Sequence, residues 1–177
     1  MRVFLDANVL YPSILRGIIL DFAKLGSFTP LWSERVIEEW RRAAIRNEEI
    51  GADIEIALLL DGWKDAMVRD IETRDDVTLT DPDDVHVVAA ALTGHADQIL
   101  TANTGDFPSR TLSRLGLIRR HPDEFLLEQY KAHPDAGSQI LNAALTKAKA
   151  RHKGEIALPA LLKRMRLSRL RKYIQQT

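Results

Sequence analysis

Five oxygen-bearing side chains together have the chemistry of a metal site: four lie where strands are predicted to end or helices to begin, and the fifth lies on a helix after the second strand, from which it could face inwards. They are Asp6, Glu39, Asp84, Asn103 and Asp106. In a parallel α/β sheet, ligands bind at the carboxyl ends of the strands, so side chains far apart in sequence can converge there. Converging carboxylates repel one another unless a cation neutralises them, and oxygen-only ligands suit Mg²⁺ or Mn²⁺ better than zinc. Such a site would activate water and stabilise charge on a phosphate.

Each of these residues also has a simpler structural interpretation. Asp6 can merely end a strand, and Glu38 is as available as Glu39, so spacing alone leaves that choice open. Asp84 would complement the dipole of its helix, which is worth about 0.3–1 kcal/mol. Asp106 suits a turn. The case for a site therefore depends on the combination rather than on any one residue.

An alternation of strands and helices would bring these residues together. Strands are predicted over residues 3–5, 29–32, 77–79, 99–101 and 117–118. Helices are predicted over residues 12–24, from an N-cap at Ser33, over 54–67, and after the cap-and-proline pair Asp81-Pro82. The first strand is a continuous apolar run, typical of a strand buried on both faces of a parallel sheet. The pattern predicts an α/β fold with a mainly parallel central sheet.

The chain beyond Pro122 has no strand signal. Helices are predicted over 123–132, 135–150 and 157–175, with breaks at Pro134, Gly154 and Pro159. We therefore expect a helical appendage at the C-terminus rather than a linker.

The formal net charge of zero conceals an asymmetry along the chain. The protein has 177 residues with 25 Lys and Arg and 25 Asp and Glu. Residues 141–177 hold ten of the basic side chains and one acid, so the rest of the chain carries 15 basic and 24 acidic side chains. An acidic body joined to a basic tail suggests an anionic partner.

The composition excludes several classes of protein. There is no cysteine, which excludes disulfides, thiolate zinc sites and a cysteine nucleophile. A hydrophobic content of 45% with 28% charged residues is typical of a globular protein. An acid at position 6 comes too early for a signal peptide, and no stretch approaches the roughly 20 apolar residues of a membrane span. We expect a cytoplasmic protein with no membrane association.

In combination, the motifs resemble the PIN-domain family of metal-dependent ribonucleases, segment by segment and in order over residues 1–125. Residues 3–10, Val-Phe-Leu-Asp-Ala-Asn-Val-Leu, resemble the opening strand with its first catalytic Asp and a supporting Asn. Residues 33–40 resemble the helix that bears the second acid, and the apolar residue after Glu39 favours Glu39 over Glu38. Residues 81–91 are the most specific match and place the third acid at Asp84.

The resemblance continues through residues 99–108, which are similar to the final motif of the family, and through 121–125, which match the end of the domain in one PIN subgroup. The chain departs from the family at one position. The fourth acid of many PIN nucleases lies two residues after the Thr, and Asn103 stands there. In the subgroup with an Asn-x-x-Asp-Phe-Pro motif, the carboxylate comes from the position of Asp106.

The resemblance implies a PIN-like three-layer α/β/α fold over residues 1–125, followed by a basic helical C-terminal extension over 126–177. It also implies cleavage of single-stranded RNA with Mg²⁺ or Mn²⁺, often by the VapC-type toxin of a toxin–antitoxin pair. The partners expected on this basis are RNA, a cognate antitoxin protein and a second copy of the chain in a homodimer. The catalytic residues would be Asp6, Glu39, Asp84 and Asp106, with Asn103 as a further metal ligand and Asn8 and Thr101 orienting the ligands.

RNA would have to approach an acidic body, so a cationic surface is needed to offset repulsion of phosphate. The candidates for RNA binding are Arg41, Arg42 and Arg46 on the helix of Glu39, and Arg164 and Arg169 in the tail. The alternative is that the tail is a solvated helix whose charges favour solubility.

Three other functions compete with the nuclease. A haloacid-dehalogenase-like phosphatase needs a second Asp two positions after the first, where this chain has Asn8. A phospho-receiver domain needs a Lys after a late strand, where this chain has Arg119 and Arg120. The third is a metal-free RNA- or partner-binding module with a degenerate PIN site, which Asn103 favours. The five histidines show no metal-binding spacing, and His86 is expected to face the helix surface or the sheet.

Overall fold

The computed structural model describes residues 1–74, 76–152 and 155–176, and its strands form one parallel sheet. The strands are β1 (Arg2–Leu5), β2 (Thr29–Ser33), β3 (Met67–Val68), β4 (Gln98–Leu100) and β5 (Ile118–Arg120). Their order in the sheet is β3-β2-β1-β4-β5, and every neighbouring pair is parallel. The predicted α/β fold with a parallel central sheet is confirmed, as are the extra helices at the C-terminus.

The central strand β1 determines where the first acid lies. Phe4 pairs with Leu31 of β2 on one side and with Ile99 of β4 on the other. Val3, Phe4 and Leu5 are fully buried, as expected for a strand that is covered on both faces. The apolar run therefore fixes β1 in the middle of the sheet, and Asp6 follows directly at its carboxyl end.

Ten α-helices complete the part of the chain that the structure describes. They are α1 (Ala7–Leu10), α2 (Ser13–Lys24), α3 (Glu34–Arg46), α4 (Ala52–Gly62), α5 (Val85–Thr93), α6 (Ser109–Arg114), α7 (Pro122–Ala132), α8 (Pro134–His152), α9 (Leu158–Arg164) and α10 (Ser168–Ile174). Short 3₁₀ turns lie at Lys64–Ala66 and Pro82–Asp84. Two predicted caps are present: the Ser33 hydroxyl accepts the Val36 N–H at 3.3 Å, and Asp81 Oδ1 accepts the Asp83 N–H at 2.9 Å.

Two sequence predictions about the elements between α3 and α5 are wrong. Residues 77–79 form no strand, and Met67–Val68 occupies the sheet edge beside Trp32 and Ser33 instead. Val77 and Leu79 are nevertheless buried, so their apolar character reflects packing rather than strand pairing. The helix predicted over 54–67 ends at Gly62.

The predicted helix 157–175 is two helices, α9 and α10, separated by a turn in which Arg166 has a positive φ of 57°. Leu167, which directly precedes α10, is fully buried. The predicted break at Gly154 and the charge of Lys153 lie outside the described residues.

The chain forms two compact units. The first comprises residues 1–11 and 28–120 and contains the whole sheet with α1 and α3 to α6; the second comprises 12–27 and 121–177 and contains α2 and α7 to α10. Within the second unit, Ala148, Ile156 and Leu161 form a buried apolar cluster against which Ile14 packs. The domain boundary at 125/126 stays a prediction. No helix among the described residues combines the length and apolar character needed to cross a membrane.

Candidate active site

Asp6 links the ends of the two central strands. Its carboxylate is only 4% exposed, and Oδ1 accepts the N–H of Ala7 at 2.6 Å. Oδ2 accepts the side-chain amide of Asn8 at 2.5 Å and the hydroxyl of Thr101 at 2.7 Å. Because Thr101 follows β4, these bonds hold the carboxylate in a fixed orientation at the carboxyl edge of the sheet.

Asn8 and Thr101 extend this network into the loop after β4. The Asn8 amide also donates to Thr101 Oγ1 at 3.0 Å, and Asn8 Oδ1 accepts the N–H of Ala102 at 2.9 Å. Thr101 Oγ1 accepts the N–H of Asn103 at 3.1 Å. The two residues predicted to orient the ligands therefore contact Asp6 directly and also position the backbone of Asn103.

Two acids at this edge, Asp6 and Asp84, have raised pKa values. Burial raises the pKa of Asp6, although its hydrogen bonds from Thr101 and Ala7 act in the opposite direction. Burial also raises the pKa of Asp84 to about 6, and the negative charges of Asp6, Asp81 and Asp106 add to this rise. Asp84 thus lies within the electrostatic reach of both Asp6 and Asp106, so a bound cation would relieve a repulsion that the fold creates.

Glu39 and Glu38 have different partners in the structure, and this difference bears on which of the two belongs to the site. Glu39 Oε1 lies 2.7 Å from Nε2 of His86 on α5, and 3.6 Å from Nε of Arg35 on its own helix. Glu38 instead pairs with Arg41 at 2.7 Å and Arg42 at 3.3 Å. The charge of Glu39 also raises the pKa of Asp6, so Glu39 is the acid of this pair that interacts with the site.

His86 is a residue that the sequence interpretation missed. It was expected to face the helix surface or the sheet, but its side chain is 11% exposed and contacts Glu39. The available signal was its position two residues after Asp84, in the first turn of α5, where it shares the end of the helix with the third acid.

The loop that carries Asn103 and Asp106 is held by backbone contacts. The N–H of Asp106 donates to the carbonyl of Asn103 at 3.1 Å. The guanidinium of Arg119 donates to the carbonyls of Thr104 and, at 2.8 Å, Phe107. Arg119 is a second residue whose part in the site the sequence did not reveal, because its acceptors are backbone atoms that no side-chain pattern identifies.

The donor chemistry fits a hard divalent cation, because the site offers carboxylates whose negative charges repel one another. Within residues 1–74, 76–152 and 155–176, however, no three His, Asp or Glu side chains are gathered closely enough to hold a metal ion together. Glu39 is engaged by His86, and Asp6 by its own hydrogen bonds. The structure therefore brings the predicted acids into electrostatic contact without closing them into a coordination shell.

The predicted RNA-binding arginines differ in how far their charges are already paired. Arg41 bonds Glu38 and Asp53, and Arg42 bonds Glu38. Arg169 lies 2.7 Å from Glu124. Arg46 and Arg164 are exposed and have no ion-pair partner within the described part of the chain. They are therefore the two predicted cations that remain most available to phosphate.

The chain belongs to the PIN domain family, because the model of that family matches residues 2–105. Over 58 residues it is also 36% identical to a Mycobacterium tuberculosis protein named "Putative ribonuclease VapC50". That segment covers 33% of this chain and 34% of the relative, so the chain matches about a third of the relative's length. No solved structure matches the chain.

Proposed function

We propose that this protein is a ribonuclease that depends on Mg²⁺ or Mn²⁺, cleaves phosphodiesters of single-stranded RNA and acts as the toxin of a toxin–antitoxin pair. The observation that carries the proposal is the electrostatic coupling of Asp6 with Asp84, two acids from distant parts of a PIN domain. The name of the relative, a ribonuclease, supports the choice of RNA as substrate. On this proposal the protein works in the cytoplasm, associates as a homodimer and binds a cognate antitoxin.

In the proposed mechanism, the ligands of the ion are Asp6, Glu39, Asp84, Asn103 and Asp106. The bound ion would lower the pKa of a water molecule and stabilise charge that develops on the phosphate. Asn8 and Thr101 keep both oxygens of Asp6 in position, as partners of metal ligands commonly do. His86 orients Glu39 through the contact at 2.7 Å.

Arginines on α3 supply positive potential beside the acids in this proposal. Arg41 and Arg42 already have acid partners, whereas Arg46 has no ion-pair partner among the described residues. Phosphate contacts by such side chains make RNA binding weaken as salt rises. The extension contributes in the same way through Arg164 and Arg169.

A metal-free RNA- or partner-binding module is the second candidate function. Two observations favour it: an amide, Asn103, stands where many PIN nucleases have an acid, and no three acidic or histidine side chains of the described chain are arranged as a ready metal site. Calorimetric titration with Mn²⁺ separates the two candidates. A nuclease should show saturable binding that Asp6→Asn weakens, whereas a module of this kind should show none.

The decisive experiment is incubation of the full chain with a pool of single-stranded RNA and Mn²⁺, followed by sequencing of the cleaved ends. Asp6→Asn should abolish cleavage while leaving the circular dichroism spectrum unchanged. Asp83→Asn is the matched control, because Asp83 is exposed and lies beside Asp84; it should cleave like the parent protein. Equal cleavage by Asp6→Asn and the parent would refute the assignment and indicate a contaminating nuclease.

A further inference from the structure

Two cavities adjoin each other within the first compact unit. The larger has a volume of about 560 Å³ and lies between the start of α3, the end of α4 and the segment that includes β3. The smaller has a volume of about 240 Å³ and lies between α3, α5 and residues 71–74. Arg35 and Ile71 line both cavities, so the two form one groove with a narrow and a wide part.

The small cavity borders the acids of the candidate active site. His86 lines it, and the same side chain lies 2.7 Å from Glu39. Arg35 lines it too, 3.6 Å from the same carboxylate oxygen, while its Nη2 donates to the carbonyl of Asp83 at 3.3 Å. A group that enters this cavity therefore lies next to Glu39 and to the turn that carries Asp84.

The lining of the small cavity has the chemistry that recognises an unpaired nucleobase. Its walls combine the apolar side chains of Ile71, Val85 and Ala89 with three planar cationic or polar groups, Arg35, Arg74 and His86, and one acid, Glu72. Unpaired RNA bases are commonly held between apolar surfaces and the planes of arginine or aromatic side chains. The volume lies below the roughly 300–1,000 Å³ typical of pockets for drug-sized ligands, so the cavity suits one base rather than a longer segment.

The larger cavity has the charges that would guide the adjoining RNA backbone. Three arginines line it, Arg35, Arg41 and Arg69, together with two acids, Glu34 and Asp70. Arg41 is neutralised by Glu38 and Asp53, whereas Arg69 is exposed and has no acid partner within the described residues. A phosphate that leaves the small cavity past Ile71 would meet Arg69, whose guanidinium is not held in an ion pair by any described residue.

We propose that this groove is the specificity site of the enzyme: the small cavity takes the unpaired base next to the cleaved phosphodiester, and Arg69 binds a neighbouring phosphate. The inference rests on the proposed ribonuclease function and adds to it the means of choosing a sequence. The apolar wall contributed by Ile71 selects the base by shape, while Arg35 stacks on it.

Binding measurements test the groove without relying on cleavage. The four fluorescently labelled homotetranucleotides of A, C, G and U are titrated against full-length protein carrying Asp6→Asn, in EDTA. We expect one base to bind on the order of tenfold more tightly than the weakest, because a small difference of fit to an apolar pocket typically changes binding by about that factor or more. Adding Ile71→Ser should remove this spread. Ile50→Ser is the matched control, because Ile50 is fully exposed and lines neither cavity, and it should preserve the spread.

Cleavage measurements then separate this inference from the proposed function. In the active protein, Ile71→Ser should flatten the base preference beside the cut and raise KM while kcat stays within about twofold, because it removes a wall of the cavity and no acid. Arg35→Lys should also flatten the preference, since it keeps the charge and loses the stacking plane; Arg114→Lys, on an exposed arginine of α6, should not.

An unchanged base preference in Ile71→Ser and Arg35→Lys would overturn the inference while leaving the nuclease intact. Base-selective binding without any cleavage by the parent would refute the nuclease and retain the base site. Equal binding of all four tetranucleotides to the protein that carries only Asp6→Asn would refute the base site.

Discussion

Asp84→Asn should stabilise the metal-free protein and weaken the proposed binding of Mn²⁺. The pKa of Asp84 rises from 3.8 to about 6, chiefly through burial and then through the charges of Asp6, Asp81 and Asp106. At about 1.4 kcal/mol for each pKa unit, the whole rise corresponds to about 3 kcal/mol. Because Asp84 is partly exposed, water still solvates its carboxylate and screens the neighbouring charges, so we expect a gain in unfolding free energy of about 1 kcal/mol at neutral pH.

The raised pKa of Asp84 determines how the stability difference between Asp84→Asn and the parent changes with pH. The folded protein holds the Asp84 proton more tightly than the unfolded chain does, so the stabilising contribution of that proton is complete below about pH 4 and is lost as the pH rises through about 6. The amide of Asp84→Asn does not ionise. Its stability should therefore match that of the parent near pH 4 and exceed it increasingly up to pH 7.

Urea unfolding in EDTA at several pH values measures the difference in unfolding free energy between Asp84→Asn and the parent. In the same series with Mn²⁺ we expect the parent to be the more stable of the two. If the acids bind the ion as proposed, its binding to the native state alone should stabilise the parent, whereas Asp84→Asn, which lacks one of the proposed ligands, should gain much less. Asp83→Asn is the matched control for the loss of an acid from the same turn, and it should follow the parent in both series. If Asp84→Asn is no more stable than the parent at pH 7 in EDTA, the argument that the ionised Asp84 carboxylate destabilises the fold is refuted.

Three further predictions concern the rest of the molecule. Thr101→Val should lower the unfolding free energy by about 1–3 kcal/mol because it removes the Thr101 hydroxyl bonded to Asp6 and Asn103, whereas Thr101→Ser should retain it. Replacing Lys163, Arg164 and Arg166 together with Gln should lower the magnitude of the slope of log K against log salt for single-stranded RNA binding by about 2. All three side chains are exposed and have no acid partner among the described residues. Arg169→Gln removes a charge that is already paired with Glu124 and should change this slope less. If the salt slope of RNA binding is unchanged in the triple variant, a role of the tail in solubility is favoured. Asp123→Ala should lower the free energy of urea unfolding by about 0.5–2 kcal/mol, because the buried Asp123 carboxylate accepts the N–H groups of Arg169 and Leu170 at the start of α10. Glu124→Ala, which removes only an exposed ion pair, should cost less, and equal losses would contradict the capping role.

The sequence by itself determined the parallel sheet and the order of most of its elements. The apolar run before Asp6 requires burial on both faces, and a strand of this kind belongs in the middle of a parallel sheet. Ser33 and Asp81 have side chains that satisfy free N–H groups, so they mark helix starts locally. The motif resemblance to PIN domains followed from residue types at fixed spacing, and the family match over residues 2–105 confirmed it.

Only the tertiary structure decided the features that depend on contacts between distant segments. Val77 and Leu79 have the composition of a strand, yet Met67–Val68 occupies the edge of the sheet, because pairing depends on which segment can reach β2. The choice between Glu38 and Glu39 is equally non-local, since it depends on His86, which lies 47 positions beyond Glu39 in the chain. Sequence periodicity records which residues need burial or a charged partner; the folded chain alone determines which partner each of them meets.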